Sequence, residues 1–298
     1  MKRLLFLVCT SIFAVGVFPL LSAEEPAPSP LPLSPAEAKL QEARAALGGR
    51  GMQKNPARAL ELMKEAADAG SADAVGGIGY FYAVGAGGVE RDLTEAARWF
   101  RKGAEKGSAK AQLNLARALL NGNGLEKNEA EGIAWLAKAA DSGLDEAQAQ
   151  YGIIVYRGDA GIAKDAEAAV RYLKPAAEAG IPSAQNAYAF MLLNAEGGIG
   201  HDQERSMELF LLAANQGEAK AQMNYGTVLI ERAKTQEEFG VALMWLNVAA
   251  GTGDPVAINI LDASKEYPIE PGTRAKAEKE GAELRGEIQR QSLKRLAR

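Results

Sequence analysis

Few side chains in this sequence could carry chemistry. His201 is the only histidine and Cys9 the only cysteine, so a metal site would have to be built from carboxylate oxygens. The acidic residues alternate with basic ones instead of gathering, which leaves such a site without support. His201 follows Lys54, Arg91, Lys127 and Lys164 at intervals of 36 or 37 residues. It therefore reads as a surface loop residue in a basic position, not as a ligand or a general base. Gly122-Asn123-Gly124 and Gly197-Gly198-Ile199-Gly200 have the composition of phosphate loops, but neither a P-loop lysine nor a strand pattern accompanies them. They read as turns. Trp99, Trp135 and Trp245 occupy one recurring position and are expected in the core, not in a ligand cage.

What remains is charge. Arg98, Arg101, Lys102, Lys138, Arg171 and Lys174 recur about one interval apart, with Glu105, Asp141 and Glu178 near them. These six are the candidate partner-binding residues, a basic strip within a groove that would favour a partner carrying carboxylates. The competing reading is ordinary solvated helix surface.

The interval belongs to an internal repeat. Ala139 to Gln148 reads A-A-x-x-G-x-x-x-A-Q, and its glycine returns as Gly70, Gly107, Gly143, Gly180, Gly217 and Gly253 in steps of 36 or 37 residues. Four positions after each glycine stands an alanine: Ala74, Ala111, Ala147, Ala184, Ala221 and Ala257. In the four central copies Gln112, Gln148, Gln185 and Gln222 come next.

Eight positions before each glycine stand Leu62, Trp99, Trp135, Tyr172, Leu209 and Trp245. Met63, Phe100, Leu136, Leu173, Phe210 and Leu246 follow, then a small pair such as Ala139-Ala140. This spacing predicts an amphipathic first helix, ended by a glycine in left-handed geometry. The alanine should open a second helix. Its inner face carries Leu115, Tyr151, Tyr188 and Tyr225, then Leu119, Val155, Leu192 and Leu229, with small residues between that permit close approach. A glycine-rich loop closes the unit, and its lone apolar residue (Val89, Leu125, Ile162, Ile199) is expected to tuck the loop back onto the helices. One helix pair cannot bury its apolar face alone; stacked neighbours can.

These columns resemble the Sel-one-like repeat (SLR) family, relatives of the tetratricopeptide repeat with a longer glycine-rich loop. The resemblance covers roughly residues 36–263. It implies an all-α, right-handed α/α superhelical solenoid serving as an interaction scaffold, without an active site or cofactor. Some cysteine-rich members are linked to β-lactam binding. This chain has neither their cysteines nor a Ser-x-x-Lys nucleophile motif, so that property is not carried over.

The ends of the chain differ from the middle. Lys2-Arg3, the apolar run Leu4 to Leu21 and the small pair Ser22-Ala23 read as a signal peptide over residues 1–23, with cleavage expected after Ala23. Retention as a membrane anchor is the alternative, since the run touches the lower limit for a span. Residues 24–35 form a proline-rich spacer, expected to be disordered. Ser34-Pro35-Ala36-Glu37 has the residues of a helix start with a capping box. The array is expected to run as a half repeat, five full repeats and a half repeat over 36–263. Glu231 to Thr235 replaces the last glycine-rich loop, and a charged capping helix follows over 273–298.

The formal net charge is −4, which argues against general nucleic-acid binding. The expected function is a periplasmic or secreted, non-catalytic scaffold that holds a protein or peptide on the concave face of the solenoid, an acidic one if the basic strip is the contact. An envelope enzyme acting on cell-wall material or β-lactams is one alternative. A membrane-tethered adaptor, if the leader is retained, is the other.

Overall fold

The computed structural model describes residues 33–51 and 53–296; the leader, Cys9 and the proline-rich run at 26–32 lie outside them. All regular structure among the described residues is helical. The second helices of successive units are α1 (Pro35–Gly48), α3 (Ala72–Val84), α5 (Ala109–Asn121), α7 (Asp145–Arg157), α9 (Pro182–Asn194), α11 (Ala219–Arg232) and α13 (Pro255–Ala263). The first helices are α2 (Pro56–Asp68), α4 (Leu93–Glu105), α6 (Glu129–Asp141), α8 (Ala166–Glu178), α10 (Gln203–Asn215) and α12 (Gln236–Ala250). A last helix, α14 (Pro271–Leu296), starts two residues before the expected Thr273 and lies along α12. The architecture is an α-solenoid of helix pairs.

Every column has a physical task. The recurring glycine follows each first helix with φ between 79° and 98°, a backbone region that costs a residue with a β-carbon about 1–2 kcal/mol. Around Gly70 the N–H of Gly70 donates to Ala67 O and that of Ser71 to Ala66 O, the two bonds of a Schellman ending. The alanine is the third residue of its helix, not the first as expected, because the chain turns helical two positions earlier. In five of the six copies that alanine is wholly buried, and Ala111 nearly so. Behind it, the buried glutamines reach back to the preceding first helix. Gln112, Gln185 and Gln222 donate through Nε2 to the carbonyls of Ala104, Ala177 and Ala214 at 3.4, 3.3 and 3.1 Å.

One column escapes the hydrophobic pattern. Asn55, Asp92, Asn128, Asp165 and Asp202 each cap a first helix, their side-chain oxygens accepting from backbone N–H groups two or three residues on. Their own N–H groups donate to the second helix behind: Asp92 to Tyr82 O, Asn128 to Leu119 O, Asp165 to Val155 O. Each side-chain cap contributes about 1 kcal/mol, and the backbone bond fixes where the loop ends.

The core forms as a succession of apolar clusters along the stack. Val89, Leu125, Ile162 and Ile199 pack at their edges, so the loops do fold back onto the helices.

Candidate interaction surface

Second helices of neighbouring units lie against one another, α3 on α5, α7 on α9 and α9 on α11, whereas the first helices stand further apart. The second helices thus line the inner side of the stack and the first helices its outer side. Along that inner side one column reads Tyr80, Arg117, Ile153, Phe190, Thr227, and the column beside it Gly77, Asn114, Gln150, Ala187, Asn224. Tyr80 and Phe190 are 47% and 40% exposed, high for aromatic side chains on a helix that packs on two sides. The amides of Asn114, Gln150 and Asn224 are half-buried. Between α1, α3 and α5 this face opens into a groove of about 270 Å³, lined by Leu40, Met63, Tyr80, Lys110 and Asn114 among others. Its floor is Gly76-Gly77, where any side chain would fill the groove or strike Ala111 and Met63. Apolar sockets beside amides suit an extended peptide, whose side chains need pockets and whose backbone needs both donors and acceptors.

The six basic candidates stand elsewhere, on the first helices α4, α6 and α8. Four are engaged within the protein. Arg98 pairs with Glu95 at 3.2 Å, and Arg101 reaches across to Glu131 of α6 at 2.6 Å. Lys102 sits 4.5 Å above the Trp99 ring, and Lys138 4.0 Å above that of Trp135, within cation–π range. Trp135 Nε1 in turn donates to Glu131 at 3.3 Å. The Arg101 guanidinium, then the Trp135 indole, hold the Glu131 carboxyl below its usual range against the opposing effect of burial. Arg101, Glu131, Trp135 and Lys138 thus form one chain of contacts tying α4 to α6. Arg171 and Lys174 are exposed and make no ion pair among the described residues.

The tryptophan column corrects one expectation. Trp245 is buried, but Trp99 and Trp135 are half-buried and carry the lysines. A lysine three residues on shields each indole with its stem. His201 is exposed in the loop before the cap residue Asp202. Among the described residues, no three His, Cys, Asp or Glu side chains gather closely enough to hold a metal ion, and no helix is long and apolar enough to cross a membrane.

The inner columns were not among the sequence candidates. Their signal was present, since Tyr80, Ile153 and Phe190 share a register, but Arg117 and Thr227 interrupt it.

A family model described as the Sel1 repeat matches residues 43–71, 72–108, 109–144, 145–181 and 182–218. Among solved structures the chain is similar to c5321, a protective antigen present in uropathogenic Escherichia coli strains displaying an SLR fold. The identity is 26% and the TM-score 0.64, over 83% of this chain and 53% of that one. It is also similar to a Sel1 repeat protein from Oxalobacter formigenes, with 29% identity and a TM-score of 0.56, over 72% of this chain and 84% of that one. The chain thus spans about half the length of the antigen, and most of the second protein.

Proposed function

Because the chain belongs to the Sel1 repeat family, we propose that it is a non-catalytic scaffold holding another protein or peptide along its inner face. The observation that carries this reading is the half-exposed column of Tyr80, Ile153 and Phe190 beside the amides of Asn114, Gln150 and Asn224. A solvated wall has no need of exposed aromatics. The acidic-partner reading narrows to Arg171 and Lys174, because the other four basic residues are satisfied within the protein. Those two would meet an acidic segment of a partner that reaches the outer side.

The proposal also puts the protein outside the cytoplasm, periplasmic or secreted. Its support is the order of charge, apolar run and small residues from Lys2 to Ala23.

A photo-crosslinking side chain placed at position 190, compared with one at 171, tests the surface directly. In envelope extract the crosslinker at 190 is expected to capture a protein, and Tyr80→Ala should reduce that capture. Capture at 171 alone would move the working face to the outer side. Turnover of peptidoglycan or a β-lactam by the purified protein would replace the scaffold reading with an enzyme.

A further inference from the structure

In one unit the loop that should fold back is missing. Earlier loops run from the end of a second helix to the cap of the next first helix, as in Gly85 to Asp92 and Ala195 to Asp202. The one after α11 is only Ala233 to Thr235. The earlier loops lie directly on the first helix of their own unit. A β-carbon on Gly87 would stand 2.9 Å from Pro56 O, one on Gly124 2.0 Å from Leu93 O, and one on Gly197 2.6 Å from Ala166 O. Each loop seats an aliphatic side chain there. Two residues further on comes a basic position, and two of its occupants lie over the C-terminal end of the second helix. Arg91 Nε donates to Ala83 O at 3.2 Å, and Lys164 Nζ lies 5.4 Å from the Tyr156 ring centre.

The corresponding seat on α10 has no loop over it. It is an open cavity of about 630 Å³, bounded by Met207, Leu229 and Val241. Met207 stands in the column of Leu60 and Val170, on which the loop residues Gly87 and Gly197 close, and Leu229 in that of Leu119 and Leu192, which cluster with the loop residues Leu125 and Ile199. Val241 is 43% exposed. At the rim, Arg232 is paired with Glu204 at 2.9 Å, and Glu238 accepts from the backbone N–H of Lys234 at 2.6 Å. Glu231 is exposed and has no ion pair among the described residues. It stands at the C-terminal end of α11, where the helix dipole adds further negative potential.

We infer that this seat binds a loop of a partner protein that reproduces the missing one. That loop is a glycine-containing turn presenting Val, Leu or Ile, with Lys or Arg two positions further on. The aliphatic side chain fills the space over Met207 and Leu229, as Ile199 does in the unit before. The basic side chain meets Glu231 and the end of α11, which supplies the charge complementarity. The seat lies between α10, α11 and α12 and shares no residue with the two inner columns, so the inference stands or falls independently of the inner-face proposal.

The test uses the full chain and a cyclised peptide, Gly-Gly-Ile-Gly-Lys-Asp, followed by methyl NMR. Saturable shifts are expected at the methyls of Met207, Leu229 and Val241. They should be absent with the peptide carrying Ser in place of Ile. In the Glu231→Gln protein the affinity should fall about three- to fivefold, as for a charge at an exposed rim. Unshifted methyls, or equal shifts with the Ile and Ser peptides, would overturn the inference. Unchanged affinity in Glu231→Gln would overturn its basic half.

Discussion

Gly76 and Ala111 meet where α3 crosses α5: a β-carbon added to Gly76 would stand 2.6 Å from the Ala111 Cβ. Gly103 of α4 closes on the same point, its own added β-carbon falling 2.7 Å from the Gly76 nitrogen. Three helices therefore share a contact with no room for a methyl group. Helix propensity alone would make Gly76→Ala stabilising by about 1 kcal/mol. Overpacking costs about 1–3 kcal/mol and should win, so chemical denaturation is expected to show a less stable protein. A more stable variant would mean that α3 and α5 can move apart freely.

Ala195 gives the opposite case. It takes φ 53° at the end of α9, where Gly49, Gly85, Gly122 and Gly158 hold the same place in other units. Ala195→Gly should raise stability by about 1 kcal/mol, since relief of left-handed strain outweighs the added freedom of the unfolded chain. Thermal melting of the two proteins checks this.

The basic residues divide into engaged and free. Arg101→Glu with Lys138→Glu breaks the chain through Glu131 and Trp135, and should cost about 1 kcal/mol and alter tryptophan emission. Arg171→Glu with Lys174→Glu should leave the melting temperature unchanged. Equal melting of the two double variants would show that the α4–α6 link contributes nothing.

Tyr172 predicts an alkaline dependence. Burial, and then the Asp141 carboxylate that accepts its hydroxyl proton at 2.8 Å, push the phenol from 10.0 to about 12. The folded state keeps the proton longer than the unfolded one. The associated stability is present in full below pH 10.0 and is lost as the pH rises to about 12. Tyr172→Phe should flatten the fall of melting temperature across that window. An identical slope in both proteins would place the alkaline loss elsewhere.

Export has a direct measurement. Under the proposed export, the protein should begin near Glu24, as read by intact mass and N-terminal sequencing. Retention of Met1 would instead support the tethered adaptor.

The fold was legible because each unit repeats its packing code. The glycines at 36- or 37-residue intervals, the alanine behind each and the aromatic or leucine before each were enough to place the helices. The Asn and Asp caps were passed over because Asn128, beside Glu126-Lys127, looks like one more polar loop residue. Its role depends on backbone geometry that hydropathy does not encode. The columns that line the inner side went unread for a different reason. Which helix lines the inner side is decided by how closely units approach on each side, and no single column carries that information. Likewise, Lys138 looks like a free cation until the Trp135 ring is found beneath it.

The succession of apolar clusters has a mechanical consequence. Because each draws on adjacent helices, the ends of the stack are joined only through every unit between them. Tension applied to the two termini would load the clusters in series, and the weakest would yield first while its neighbours stayed folded. Each released unit of 36 or 37 residues would add roughly 120 Å of extended chain. Under load the protein would lengthen stepwise, as an extensible tether, and would shorten again as each unit re-formed against a folded neighbour.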